Sequence, residues 1–176
     1  AAVAPRLATE ANVAAACARL GLSAAWISAL PAHEWGERVR RELAGHGVDC
    51  SYVRMVDGAR LGLYFLEYGT SPRPIRVLYD RRDSAFAGLS PADVDAAEEV
   101  VAAAGVVVAQ FESPVAPVER LLSLARRHGV RTILNPAPAR TVSDDLLALV
   151  DVITPNEALA AALAGMAGSL DPERAA

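Results

Sequence analysis

Apolar runs of strand length, separated by amphipathic segments of helix length, decide what this chain can fold into. The runs are AAWISAL (24–30), VVVAQF (106–111), VRTILN (130–135) and VDVIT (150–154). Helical patterns lie around them: Glu10 to Leu20, stopped by Gly21, and Trp35 to Ala44, ending in Gly45 and Gly47. Ser90-Pro91-Ala92-Asp93 is a capping-box start with Pro at the first helical position, opening a helix to about Ala103. Val115 to His128, Ser143 to Leu149 and Asn156 to Ala164 complete the set. Strands joined through helices of about 10–15 residues run parallel, and nearly continuous apolar strands fit a sheet covered on both faces. The fold class is therefore α/β, a doubly wound and mainly parallel sheet flanked by helices. One stretch breaks the alternation. SYVRMV, LGLYFLEY and IRVLYD follow one another within 51–80, separated by Asp57-Gly58 and by Gly69, Pro72 and Pro74. These predict a β meander, a small lid or clasp inserted in the α/β core.

Composition narrows the function. All 17 basic residues are Arg and none is Lys, which removes P-loop nucleoside triphosphatases, Schiff-base aldolases and pyridoxal enzymes, each built around an ammonium or amine. The net charge is −4 with the charges interspersed, so no basic stripe exists for nucleic acid. No apolar run approaches the roughly 20 residues of a membrane span, and the first residues lack the order of a signal peptide. Cys17 and Cys50 lack zinc-site spacing and read as reduced thiols. The expectation is a soluble, cytoplasmic chain with neither nucleic acid nor membrane as partner.

Ligands of such sheets sit beyond the carboxyl ends of the strands. Glu112 follows one strand, Asn135 ends the next, and Thr154 and Asn156 follow a third, so polar groups reach one edge from three strands. Asn156, after Pro155 and opening a helix, has an equally good reading as an N-cap.

At this point the sequence resembles a known family. FESPVAPVERLLSLARRHGVRTILNPAPARTVSDDLLALVDVITPNEALAAALAG (111–165) is similar to the middle of ribokinase, within the PfkB family of carbohydrate kinases. NVAAACARLG (12–21) and WGERVRRELAGHGVD (35–49) resemble the family's first helices, and GLYFLEYGTSPRPIRVLYDRRDSA (62–85) is closest to the 2-keto-3-deoxygluconate kinases. The resemblance implies a ribokinase-like fold with a β lid, here a partial domain over 1–176. It further implies transfer of the γ-phosphoryl of ATP to a sugar hydroxyl with Mg²⁺. It places Asn12 and Glu112 against the sugar, Tyr64, Tyr79 and Arg81 against a sugar acid and its carboxylate, and Asn135 and Asn156 towards the nucleotide and its metal. An amide suits a polyol because it donates and accepts, and an Arg fork with phenol donors suits a carboxylate. Plainer readings stand beside these: a polar helix residue for Asn12, a solvated acid for Glu112, and a surface ion-pair cluster for Arg81 between Asp80 and Arg82. Family lids often pair between subunits, which implies a homodimer through 52–80.

The departures from the family pattern fall at functional points. Leu7-Ala8 stand where the family has a Gly-Gly pair, Pro31 stands at a signature glycine, and Ala32-His33 stand at an acidic pair. Leu159 replaces the Glu of Asn-x-x-Glu, with Glu157 one residue along and facing elsewhere. The 176 residues also hold no counterpart of the Gly-Ala-Gly-Asp segment that bears the catalytic base. The expectation is that this polypeptide alone is not a competent kinase, and that a sheet lacking its neighbours exposes apolar surface. Two functions compete: a sugar or sugar-acid kinase represented by an incomplete segment, and a non-catalytic remnant or pseudokinase that binds a sugar or a partner chain. A dinucleotide-binding module is weak, since no GxGxxG follows a strand. Between substrates, the lid favours a sugar acid such as 2-keto-3-deoxygluconate, while Glu112 and NPAPAR favour a neutral pentose like ribose; the sugar acid leads.

Overall fold

The computed structural model describes residues 9–67, 76–110, 113–136, 143–156 and 160. The chain divides into two compact units, Ala1–Asp93 and Val94–Ala176.

In the first unit, α1 (Thr9–Arg19) buries Ala11 and Ala15, one turn apart. It stops where the sequence requires: Gly21 takes φ +84° and the Leu22 N–H returns to the Cys17 carbonyl at 3.1 Å. The run at 24–30, expected as one strand, is two. β1 (Ala24–Ala25) pairs in parallel with β3 (Val48–Asp49), and β2 (Ser28–Pro31) with β4 (Val53–Val56). The break originates on the partner side, where the Asp49 carboxylate accepts the Ser51 N–H at 2.8 Å and turns the chain, so the ladder lapses on both strands. Ser51, through its hydroxyl first and then through this N–H, also holds the Asp49 carboxyl below the usual carboxylate range. The crossover between the paired strands is α2 (Glu34–Gly45), whose first turn is capped by His33 Nδ1 accepting the Trp35 N–H at 3.3 Å. Trp26, Leu30, Leu43, Val48, Cys50 and Val53 join α1 in one core, and burial pushes the Cys50 thiol up.

The three-stranded meander expected at 51–80 is corrected here. Its first run is β4, a parallel neighbour of β2, because the α2 crossover delivers it in that sense and Val53 faces the core. Only β5 (Leu63–Glu67) and β6 (Arg76–Asp80) form an antiparallel hairpin, in register from Leu63↔Asp80 to Glu67↔Arg76. The helix expected from 90 to 103 is likewise two, α3 (Pro91–Asp95) and α4 (Glu98–Ala103). A tight bond from the Ala97 N–H to the Val94 carbonyl, 3.0 Å, interrupts the α pattern among small side chains. The capping box expected at Ser90 forms in part: Asp93 Oδ2 accepts from both the N–H and the hydroxyl of Ser90 at 2.8 Å, while the Asp93 N–H donates to the Ser90 carbonyl at 3.1 Å.

The second unit holds a parallel sheet in the order β7 (Val106–Gln110), β8 (Arg131–Asn135), β9 (Val152–Ile153). Between these strands lie α5 (Val115–Arg127) and α6 (Asp144–Leu147). Val118 and Leu122 of α5 and Leu146 of α6 pack on Ala109 and Leu134. The opposite face carries Val106, Val108 and Val152, 45%, 36% and 39% exposed. The helix expected over 156–164 lies largely outside the described residues.

A clamp between the buried Thr132 and the exposed Asp151 fixes the β8–β9 pairing at its start. The Asp151 N–H donates to Thr132 Oγ1 at 2.9 Å, and that hydroxyl shares its hydrogen between the Leu149 carbonyl (2.8 Å) and Asp151 Oδ2 (3.1 Å). The Thr132 N–H bonds the same carboxylate at 2.8 Å. Thr132→Val keeps the shape and orphans these groups, so it should cost about 2 kcal/mol in a denaturant titration. The Thr132 backbone and then its hydroxyl hold the Asp151 carboxyl below its usual range. A group with a depressed folded pKa stabilises above its unfolded pKa, and that contribution is lost as pH falls through the folded value. Stability near pH 2–4 should therefore be less acid-sensitive in the valine variant, a comparison of melting temperatures across about that range.

Candidate functional site

Antiparallel register brings three of the candidate residues together. Tyr64 and Tyr79 are direct partners across the hairpin, their rings 6.3 Å apart and tilted by 47°. Arg81 lies two residues beyond Tyr79, hence on the same side, and its guanidinium carbon sits 4.3 Å from the centre of the Tyr79 ring. A cation over a phenol ring is an attractive pairing that also aims the guanidinium. Asp80 is paired with Arg60; that salt bridge holds the Asp80 carboxyl below its usual range. Two phenols and a five-donor guanidinium thus share one face of an exposed hairpin. Chemically, such a face can hydrogen-bond an anion and adjacent hydroxyls.

Asn12 stands in the first turns of α1 with its side chain exposed. In the second unit, Asn135 ends β8 and is the register partner of Gln110 at the end of β7. The Thr154 N–H donates to the Leu134 carbonyl at 2.9 Å, so Thr154 continues the same edge. The Asn156 carbonyl accepts the Ala160 N–H at 2.8 Å, the spacing of a helix's first bond, which agrees with its N-cap reading. Gln110 went unread within its apolar run. It is only 3% exposed, and a buried amide at a strand's carboxyl end is the signal that could have marked it. Glu112 lies outside the described residues, as do Leu7-Ala8, Glu157 and Leu159.

The donors described at this second edge are amides and a hydroxyl. Among the described residues, no group of three or more His, Cys, Asp or Glu could hold a metal ion, and no helix is long and apolar enough to cross a membrane.

Comparison with known proteins decides the family. The model of the pfkB family carbohydrate kinases matches residues 9–176. The chain belongs to this family. Among its relatives, a ribokinase of Haemophilus influenzae is 35% identical over 156 residues, covering 89% of this chain and 50% of that protein. A 2-dehydro-3-deoxygalactonokinase of Haloferax volcanii is 39% identical over 161 residues, covering 84% and 50%. Among solved structures, ribokinase of Arabidopsis thaliana, complexed with ribose and ATP, superposes with a TM-score of 0.74 at 26% identity, covering 88% of this chain and 50% of that one. This pfkB chain therefore has the ribokinase-like α/β fold and spans about half the length of the curated relatives it matches.

Pro31 is the buried last residue of β2, and its carbonyl accepts the His33 N–H at 2.9 Å. His33 in turn caps α2.

Proposed function

We propose that this chain is the sugar-recognising part of an ATP-dependent carbohydrate kinase whose substrate is a sugar acid. The observation that carries the reading is the Tyr64–Tyr79–Arg81 face of the hairpin. Arg81 supplies a planar fork for a carboxylate, and the two phenols donate to its oxygens or to adjacent hydroxyls. Asn12 supplies an amide that both donates to and accepts from sugar hydroxyls, and Glu112 accepts from one. Asn135 and Asn156 bind the nucleotide end as neutral donors. ATP is the co-substrate and brings Mg²⁺ on its phosphates; the described amides and hydroxyl suit the ion's bound waters rather than direct ligation. In the transfer itself, the γ-phosphorus bonds to the sugar oxygen, ADP leaves, and the hydroxyl proton goes to a base that these 176 residues do not supply. The chain alone should bind sugar acid without phosphorylating it.

The test is ATP turnover by the polypeptide expressed with its native flanking sequence, with 2-keto-3-deoxygluconate and ribose assayed side by side. Turnover of the sugar acid is expected. Sugar binding without any turnover would replace this reading with the non-catalytic one, which Pro31 and His33 favour as internal departures from the family pattern.

The hairpin's other face carries Leu63, Phe65 and Leu78, with Phe65 and Leu78 directly paired and 56% and 58% exposed. Apolar surface of this kind is covered by association, and the assembly we propose is a homodimer through this lid, within 52–80. Phe65→Glu should then shift sedimentation from dimer to monomer while sugar-acid affinity per chain holds.

A further inference from the structure

Arg60 lies ahead of β5, some twenty residues from the end of β6, and grips the backbone on both sides of Arg81. Its Nη1 donates to the Arg82 carbonyl at 3.1 Å and its Nη2 to the Asp80 carbonyl at 3.3 Å. The same Nη2 is paired with the Asp80 carboxylate. Three further features immobilise this corner. The Ala85 N–H donates to the Arg60 carbonyl at 3.0 Å, and the Ser84 N–H closes a turn onto the Arg81 carbonyl at 3.2 Å. Asp83 takes φ +55° within that turn.

An exposed ion pair alone contributes little to stability, and the Arg60 side chain is 42% exposed. Two carbonyl bonds from one planar fork have a different consequence. They fix the peptide plane that precedes Arg81 and the one that follows Arg82, the Ser84 N–H holds the Arg81 carbonyl between them, and together these bonds set the direction in which the Arg81 side chain leaves the backbone. We propose that Arg60 is a positioning residue for substrate selection: by clamping the Asp80 and Arg82 carbonyls it holds Arg81 over Tyr79, and so confers preference for an anionic sugar. The proposal rests on the reading of Arg81 as the partner of the substrate's carboxylate.

Two substitutions separate geometry from charge. Arg60→Gln removes the fork and the charge, whereas Arg60→Lys keeps the charge and removes the fork. Affinities for 2-keto-3-deoxygluconate and for ribose are measured by titration calorimetry on the polypeptide with its native flanks, alongside melting temperatures and Arg81→Ala. Both Arg60 variants should lose about tenfold in affinity for the sugar acid, keep their affinity for ribose, and melt close to the parent. Parent-like binding by Arg60→Lys would mean that only charge matters, and would overturn the clamp. Equal losses on both sugars would reduce Arg60 to scaffolding and overturn it as well. Should the parent fail to bind the sugar acid, or Arg81→Ala bind it as tightly as the parent, the carboxylate reading itself fails and takes the clamp with it. Loss in Arg81→Ala but in neither Arg60 variant would sink the clamp alone.

Discussion

Gly36→Ala is expected to destabilise the first unit by about 3 kcal/mol or more, a large effect for a single methyl group. A Cβ built at Gly36 would stand 2.0 Å from the Pro31 carbonyl oxygen, 3.0 Å from its carbon and 3.2 Å from the proline ring. None of these atoms can rotate away. The carbonyl is already engaged by the His33 N–H at 2.9 Å, and the ring is part of a buried strand end. Relief requires the N-terminal turn of α2 to lift off β2, which loosens the seat of Leu43 and Val39 in the core. Gly45, in the last turn of the same helix, has open space around it: a Cβ there would meet nothing within 4 Å. Gly45→Ala should therefore lie within about 1 kcal/mol of the parent, on the favourable side, because alanine is the better helix former. Urea unfolding of the two variants decides the matter, and matching midpoints would show that the close approach of α2 to β2 carries no stability.

The sequence pattern for Trp35 to Ala44 shows why such a position is hard to read. A glycine inside a helical pattern looks like a propensity defect; only the strand end that meets it explains it. The same distinction runs through the chain. Features set within four or five residues were legible: the stop at Gly21 and the helix start at Ser90-Pro91 with its Ser90–Asp93 bond. Features set by a partner distant in sequence were not. SYVRMV has the same period whether its neighbour is β2 or β5, so the run could not declare its parallel pairing with β2. AAWISAL could not declare a break caused by a turn at Asp49. In the site, Tyr64, Tyr79 and Arg81 were found through resemblance, and the hairpin register puts them side by side. Arg60 was missed because its bonds reach twenty residues along the chain, and Gln110 because it closes an otherwise apolar run.

Arg81→Ala is the substitution with the largest expected effect on binding. A hydrogen bond to a charged group is worth about 1.5–3 kcal/mol net, so loss of the fork should weaken 2-keto-3-deoxygluconate by about ten- to a hundredfold. Arg81→Lys should recover only part of this, since an ammonium retains the charge but cannot present two parallel donors. The Tyr79 ring makes the prediction sharper. With the guanidinium 4.3 Å from its centre, the arginine is aimed before substrate arrives, so little ordering remains to be done on binding; the lysine stem has no comparable plane to stack. Ribose, with no carboxylate, should bind the parent and both variants alike, which makes the ratio of the two affinities the informative quantity. A surface ion-pair cluster predicts no change with either sugar, and a purely structural arginine predicts equal losses on both. Only a carboxylate partner gives a loss confined to the acid, graded Arg above Lys above Ala.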